Sequence, residues 1–281
     1  MNRFTKTVFL LLILLVQEKA ISQTSGPEKG TLVIVGGGKV GPEITDKFIE
    51  LAGGKDAKIV VIPTAAGRKK YDESNNSYQL FQKAGATNIT LLHTDDPEEA
   101  SDKEFTKPLE DADGIWFGGG RQWRLVDSYA GTLAEELFWK VLDRGGVIGG
   151  SSAGATIQGS YLARGDTKNN QIMIGDHEEG FGFVKNIAID QHVLARNRQF
   201  DLFEIIKAKP ELLGIGIDES TAIVVSKDEF EVIGESYVLI YDNTFWSREG
   251  SDLKKLPAKE SSFYMLRSGD RYDMKERKVI E

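Results

Sequence analysis

A chain of 281 residues, 40% hydrophobic and 28% charged, can bury one large α/β core and is too apolar for general disorder. A formal net charge of −8 argues against nucleic acid as a partner. No cysteine is present, which excludes disulfides and a lipid-modified cysteine near the N-terminus.

The first 22 residues place Arg3 and Lys6 ahead of an apolar run, Val8 to Val16, and close on Ala20-Ile21-Ser22. This is signal-peptide grammar, with cleavage expected near Ser22/Gln23 and a secreted or periplasmic product. The run of nine falls far short of the roughly 20 apolar residues that cross a bilayer, so no stable membrane anchor is expected. Loss of the leader would make the chain more acidic, because Arg3, Lys6 and Lys19 outnumber Glu18. Residues 23–30, small and polar, read as a short tether before a single domain over 31–281.

From Thr31 onward, short apolar runs alternate with amphipathic stretches. Thr31–Val35, Lys58–Ile62, Asn88–Leu92, Gly114–Phe117 and Gly146–Ile148 read as parallel strands in the middle of a buried sheet, because none alternates strictly with polar residues. Glu43–Leu51, Ser74–Ala84 and Thr132–Arg144 carry helical spacing, and Pro42 suits a first helical turn. Further on, Phe200–Lys207 reads as a helix. Leu213–Ile217, Ala222–Val225, Glu229–Ile233 and Val238–Tyr241 read as closely spaced strands, suggesting antiparallel hairpins. Residues 245–260 are weakly patterned and read as a surface excursion before a last strand near Ser262–Leu266.

The strongest chemical signal is Gly150-Ser151-Ser152-Ala153-Gly154, an apolar strand running into a helix through G-x-S-x-G. A sharp strand-to-helix turn strains the serine and exposes its hydroxyl, while the flanking glycines permit close backbone approach. Ser152 is therefore the candidate nucleophile, and the amide of Ala153, at the helix start, a candidate oxyanion donor helped by the helix dipole. Gly118-Gly119-Gly120-Arg121-Gln122 follows another strand, so Gly119 or Gly120 could complete the oxyanion hole.

A serine hydroxyl needs a base, and the chain has three histidines, His93, His177 and His192. His192 alone closes an apolar run and is followed by Arg196 and Arg198. Its orienting acid is Asp190 or Glu219, the latter just past the run Leu213–Ile217 on a strand end that can converge with His192. With Glu219 the order Ser, His, Glu differs from the usual α/β-hydrolase order. Gly36-Gly37-Gly38-Lys39-Val40-Gly41 formally matches G-x-G-x-x-G. The second strand, however, ends in Ile62-Pro63-Thr64-Ala65, with no ribose-binding acid, so a structural loop is expected and no cofactor. No cluster has metal-ligand spacing, and no metal is expected.

Together, the Gly119-Gly120 turn with Gln122, the Gly-Ser-Ser-Ala-Gly-Ala elbow, Asp190-Gln191-His192 with Arg196 and Arg198, and Gly214-Ile215-Gly216-Ile217-Asp218-Glu219 resemble the cyanophycinase branch of the peptidase family that also contains the aspartyl dipeptidases. The resemblance covers most of residues 30–242. It implies a three-layer α/β sandwich with a mostly parallel central sheet, flavodoxin-like and related to class I glutamine amidotransferases. It assigns Ser152 as nucleophile, His192 as base and Glu219 as orienting acid, with Gln122, Asp190, Gln191, Arg196 and Arg198 lining the substrate pocket. It also implies release of β-aspartyl-arginine from a polyaspartate-arginine polymer. One departure stands out: cyanophycinases commonly carry a further arginine nine residues after the histidine, and this chain has Asp201. The expected activity is therefore serine exopeptidase-like hydrolysis of peptides with aspartyl or β-aspartyl linkages. An aspartyl or isoaspartyl dipeptidase and a non-catalytic binder of acidic ligands are the alternatives, and a homodimer is left open.

Overall fold

The computed structural model describes residues 24–248 and 262–281. The expected leader and most of the 245–260 excursion lie outside the described residues. The first half of the chain runs β1 (Thr31–Val35), α1 (Pro42–Ala52), β2 (Lys58–Ile62), α2 (Asn76–Lys83), β3 (Asn88–Leu91), α3 (Lys103–Glu110), β4 (Gly114–Phe117), α4 (Trp123–Tyr129), α5 (Leu133–Asp143), β5 (Val147–Ser151) and the single turn α6 (Ala153–Thr156). The second half contributes β6 (Gly159–Tyr161), β7 (Val184–Gln191), α7 (Leu202–Ala208), β8 (Leu213–Ile217), β9 (Thr221–Ser226), β10 (Glu229–Gly234), β11 (Tyr237–Tyr241), β12 (Tyr264–Arg267), β13 (Arg271–Asp273) and β14 (Lys278–Ile280).

Two sheets form rather than one. The larger has nine strands in the order β14-β13-β10-β9-β1-β5-β4-β2-β3, and the smaller has β12-β11-β8-β7-β6. Parallel pairing is confined to β1, β5, β4, β2 and β3 in the first and to β6, β7 and β8 in the second. The mostly parallel sheet expected from sequence is thus its core only, extended by antiparallel strands from the second half. Of the expected hairpins, β9 and β10 form one, whereas β8 and β11 pair with each other in the smaller sheet. One placement is corrected: β3 is an edge strand, none of its four residues fully buried, and not part of the sheet's middle.

Burial explains the layers. In β1, Leu32 and Ile34 join one core, while Val33 and Val35 join the core on the opposite face. The second core is closed by α1 through Ile44, Phe48 and Ile49, and by α2 through Phe81; Phe48 and Phe81 each meet Trp116 of β4 edge-on with ring centroids 5.2 Å apart. Each such fully buried side chain contributes roughly 1.5–3 kcal/mol. The first core is covered by α3, α4, α5 and the smaller sheet, whose far face packs on α7 through Ile205 and Ile206. Pro108 had hidden α3 from the sequence pattern; it sits inside a helix that the Asp102 side chain caps by accepting from the amides of Glu104 and Phe105.

The stretch expected as a tether is fastened down from Thr24 onward. The Ser25 amide donates to Asp228 Oδ1 at 2.7 Å, and the Gly26 amide to the Lys227 carbonyl at 2.7 Å. The carboxyl ends of the two sheets are joined in the same way, by His192 N–H to the Gly36 carbonyl at 2.9 Å and Ser220 N–H to the Gly37 carbonyl at 3.0 Å. Those two bonds bring the ends of β1, β7 and β8 to one place.

Candidate active site

β5 ends at Ser151, and the chain turns through Ser152 at φ 59°, ψ −111° into α6. A serine held there is strained, as residues at reactive turns often are. The glycines of the elbow are sterically required: a Cβ on Gly150 would fall 2.3 Å from the Gly154 carbonyl oxygen, and one on Gly154 only 2.1 Å from that of Phe117. His192 follows β7 at φ 57°, and Ser220, after Glu219, has φ 55°. Three backbone bends in the left-handed region therefore meet at one point.

The side chains converge with them. His192 Nε2 lies 2.9 Å from Ser152 Oγ, and Nδ1 lies 2.5 Å from Glu219 Oε1. A carboxylate can only accept, so Nδ1 carries the proton and Nε2 is left to accept from the serine hydroxyl. Burial, the largest influence, holds the His192 imidazole below its ordinary pKa; Glu219 opposes this, and the nearby charges of Arg196 and Arg198 reinforce it. The imidazole therefore stays neutral, the state a proton acceptor needs, to a lower pH than usual.

The Gly36-Gly37-Gly38 loop makes room for this pair. A Cβ on Gly37, at φ 118°, would lie 2.2 Å from His192 Cε1, and one on Gly38 would lie 2.7 Å from Glu219 Cβ. The glycines that mimic a nucleotide fingerprint thus serve close packing against an imidazole and a carboxylate. Asp218, part of the marker at 214–219 but given no role there, ties the loops after β7 and β8 together: Oδ1 accepts from the Leu194 and Ala195 amides at 3.0 and 2.8 Å, and Oδ2 from the Ser236 hydroxyl at 2.6 Å.

Of the candidate oxyanion donors, Gly119 approaches Ser152, since a Cβ there would sit 3.5 Å from Ser152 Cβ. Gly120 instead backs onto the turn at 64–66, where a Cβ would fall 2.0 Å from the Ala65 carbonyl oxygen. Among the described residues, the Gly119 and Ala153 amides donate to no backbone carbonyl, which leaves both free for a ligand. The helix after Ser152 is one turn of four residues, so the expected dipole assistance reduces to the amide itself.

The expected pocket residues divide. Gln122 and Asp190 are fully buried, so they stand behind the pocket wall and not at its surface. Gln122 Nε2 donates to the Ala163 and Arg164 carbonyls at 2.6 and 2.9 Å, and its buried Oε1 has no partner among the described residues. Asp190 accepts two bonds from the fully buried Arg164, at 2.7 and 3.0 Å, and Arg164 also donates to Asp201. No motif marks Arg164 in the sequence, where it follows the short apolar run Tyr161-Leu162-Ala163. Asp201 therefore helps neutralise a buried guanidinium. Arg198 donates through Nη1 to the carbonyl and the side-chain oxygen of Gln191, each at 3.2 Å, and no carboxylate pairs with it among the described residues. Arg196 is half-exposed, its Nε 4.0 Å from Glu219 Oε1.

The other two histidines sit elsewhere. His93 Nδ1 bonds the Thr64 hydroxyl at 2.8 Å, and His177 is held between Asp127 and Asp176. Among the described residues no group of three or more histidine, aspartate or glutamate side chains could hold a metal ion. A cleft of about 870 Å³ opens at Ser152, with Gly119, Ser77, Lys39 and Lys83 among its lining residues.

Residues 32–233 match the profile of peptidase family S51. The chain is 33% identical over 261 residues to a cyanophycinase of Geminocystis herdmanii, covering 88% of this chain and 94% of that one. It is 34% identical over 233 residues to a cyanophycinase of Synechococcus elongatus, covering 80% and 71%. A crystal structure of a peptidase from an acI-B1 Actinobacterium superposes with a TM-score of 0.64 at 26% identity, over 89% of this chain and 98% of that one. A putative peptidase E from Listeria monocytogenes shares the fold at a TM-score of 0.52 and 18% identity, over 74% and 100%.

Proposed function

The chain belongs to peptidase family S51 and is a cyanophycinase-like serine peptidase, and on that premise we propose that it releases β-aspartyl-arginine from a polyaspartate-arginine polymer. The observation that carries the reading is the continuous hydrogen-bonded line from Ser152 through His192 to Glu219, with Ser152 at the cleft. Ser152 Oγ attacks the scissile carbonyl as His192 Nε2 takes its proton, and the imidazolium that forms is held by Glu219. The amides of Gly119 and Ala153 receive the oxyanion, each worth about 10²–10³ in rate. His192 returns the proton to the leaving amine, and water, activated by the same imidazole, cleaves the acyl-enzyme.

Arg198, buried yet without a carboxylate partner among the described residues, and the half-exposed Arg196 supply positive charge for a substrate carboxylate. Gln122, Asp190 and Gln191 act as positioning residues that hold Arg164 and Arg198. The fold is read as flavodoxin-like, related to class I glutamine amidotransferases, and residues 31–281 as one catalytic unit, supported by the pairing of β13 with β10. The leader grammar of residues 1–22 supports a secreted or periplasmic site of action.

A second reading, an aspartyl or isoaspartyl dipeptidase that never meets the polymer, is favoured by position 201, where cyanophycinases commonly have arginine and this chain has Asp201, bonded to Arg164. A panel of Asp-X, β-Asp-X and cyanophycin substrates tests both. Release of β-Asp-Arg from polymer supports the first reading; cleavage restricted to Asp-X or β-Asp-X dipeptides replaces it with the second; turnover of none rejects both.

A further inference from the structure

The cleft at Ser152 does not end beside the nucleophile. A second depression of about 370 Å³ shares Ser74, Asn76, Ser77 and Gly119 with it and extends to Tyr71 and Arg68. Arg68 in turn belongs to a third, of about 310 Å³, walled by Lys69, His93, Asp95, Arg124 and Asp127. The three lie in a row across the ends of β4 and β2, the first two sharing four lining residues and the last two sharing Arg68.

Charge changes along it. No carboxylate lines the part at Ser152, where Lys39 and Lys83 are the charged residues. The distal pocket presents both signs together, Arg68, Lys69 and Arg124 with Asp95 and Asp127. It is held in shape: Arg124 Nη1 donates to the Ala65 carbonyl at 3.0 Å with its guanidinium 5.1 Å over the Trp123 ring, and Asp127 Oδ1 is 2.8 Å from His177 Nε2. A purely acidic chain would meet Asp95 and Asp127, and a purely basic one would meet three cations. A chain whose every repeat carries a carboxylate and a guanidinium satisfies both signs.

We propose that the Arg68–Lys69–Arg124 pocket, with Asp95 and Asp127, is a second binding site for a distal zwitterionic repeat of the same polymer chain that presents its scissile bond to Ser152. This rests on the polymer reading above and adds to it a reason for long chains to bind better than single repeats, since a tethered second contact raises affinity without altering the first.

The test uses the full chain carrying Ser152→Ala and measures binding of β-Asp-Arg oligomers of increasing length by fluorescence anisotropy. Affinity should rise by about tenfold or more from the single repeat to a chain long enough to span the row. Adding Arg68→Glu with Lys69→Glu, both at exposed positions, should abolish that rise, as should Asp95→Lys, with thermal midpoints checking the fold. A length dependence that survives either change, or none to begin with, overturns the second site. Poly-aspartate bound as tightly as the mixed-charge oligomer, and more tightly after Asp95→Lys, overturns the zwitterionic assignment. The single repeat separates the two readings: if it binds while length has no effect, only the second site fails; if no oligomer binds at any length, the polymer reading fails as well.

Discussion

Gly37 and His192 stand so close that the smallest side chain on the first would strike the imidazole of the second, 2.2 Å from Cε1. Gly37 also has φ 118°, where any side chain is strained. Gly37→Ala is therefore expected to displace the ring from Ser152 and to lower stability by about 1–3 kcal/mol through overpacking. Steady-state kinetics and urea unfolding check this; wild-type kcat in Gly37→Ala would mean that the ring position is unimportant.

Glu219→Gln keeps the shape of the acid but lets its amide donate toward Nδ1, which favours the wrong tautomer of His192. By analogy with other serine triads, kcat should fall about 10³–10⁴-fold with the fold intact. A loss below tenfold would point to another acceptor for Nδ1.

The base works only when neutral, and the His192 pKa lies below its ordinary value. Activity should therefore persist as pH falls and be lost through an acid limb centred below about 6.5. Arg196 is one of the charges that lower it, so Arg196→Ala should move the acid limb of kcat/KM upward. An acid limb that stays put or moves down would remove Arg196 from the electrostatics of the base.

Asp190 and Arg164 are both fully buried and doubly bonded to each other. Asp190→Ala leaves that guanidinium with the Asn170 carbonyl and the Asp201 carboxylate, and unfolding should become easier by about 3–5 kcal/mol. Urea titration measures it; a change under 1 kcal/mol would show that these two suffice.

The serine, the histidine and Glu219 were legible because each follows an apolar run; the parallel pair β7 and β8 delivers His192 and Glu219 to one edge, and the bonds to Gly36 and Gly37 bring that edge to Ser152 in the other sheet. The same logic could not find Arg164 or Asp218. Arg164 lies in no motif, and Asp218 sits inside one that gives it no role; their roles come from partners 26 residues away for Arg164 and 24 and 23 for Asp218. The oxyanion turn was half-legible: glycines mark a close approach without saying what is approached, so Gly119 and Gly120 looked alike although one faces Ser152 and the other Ala65. The division into two sheets was hidden for a related reason. β8 and β9 are consecutive and similar in pattern, but the bend at Ser220 sends them into different sheets.

The central claim is that His192 activates Ser152 for covalent chemistry, and labelling with a serine-reactive fluorophosphonate followed by peptide mass mapping tests it most directly. The account predicts a single adduct on the peptide containing Ser152, absent in Ser152→Ala and strongly slowed in His192→Ala. An unlabelled Ser152 in a chain that hydrolyses β-aspartyl-arginine polymer, or undiminished turnover by Ser152→Ala, would contradict it.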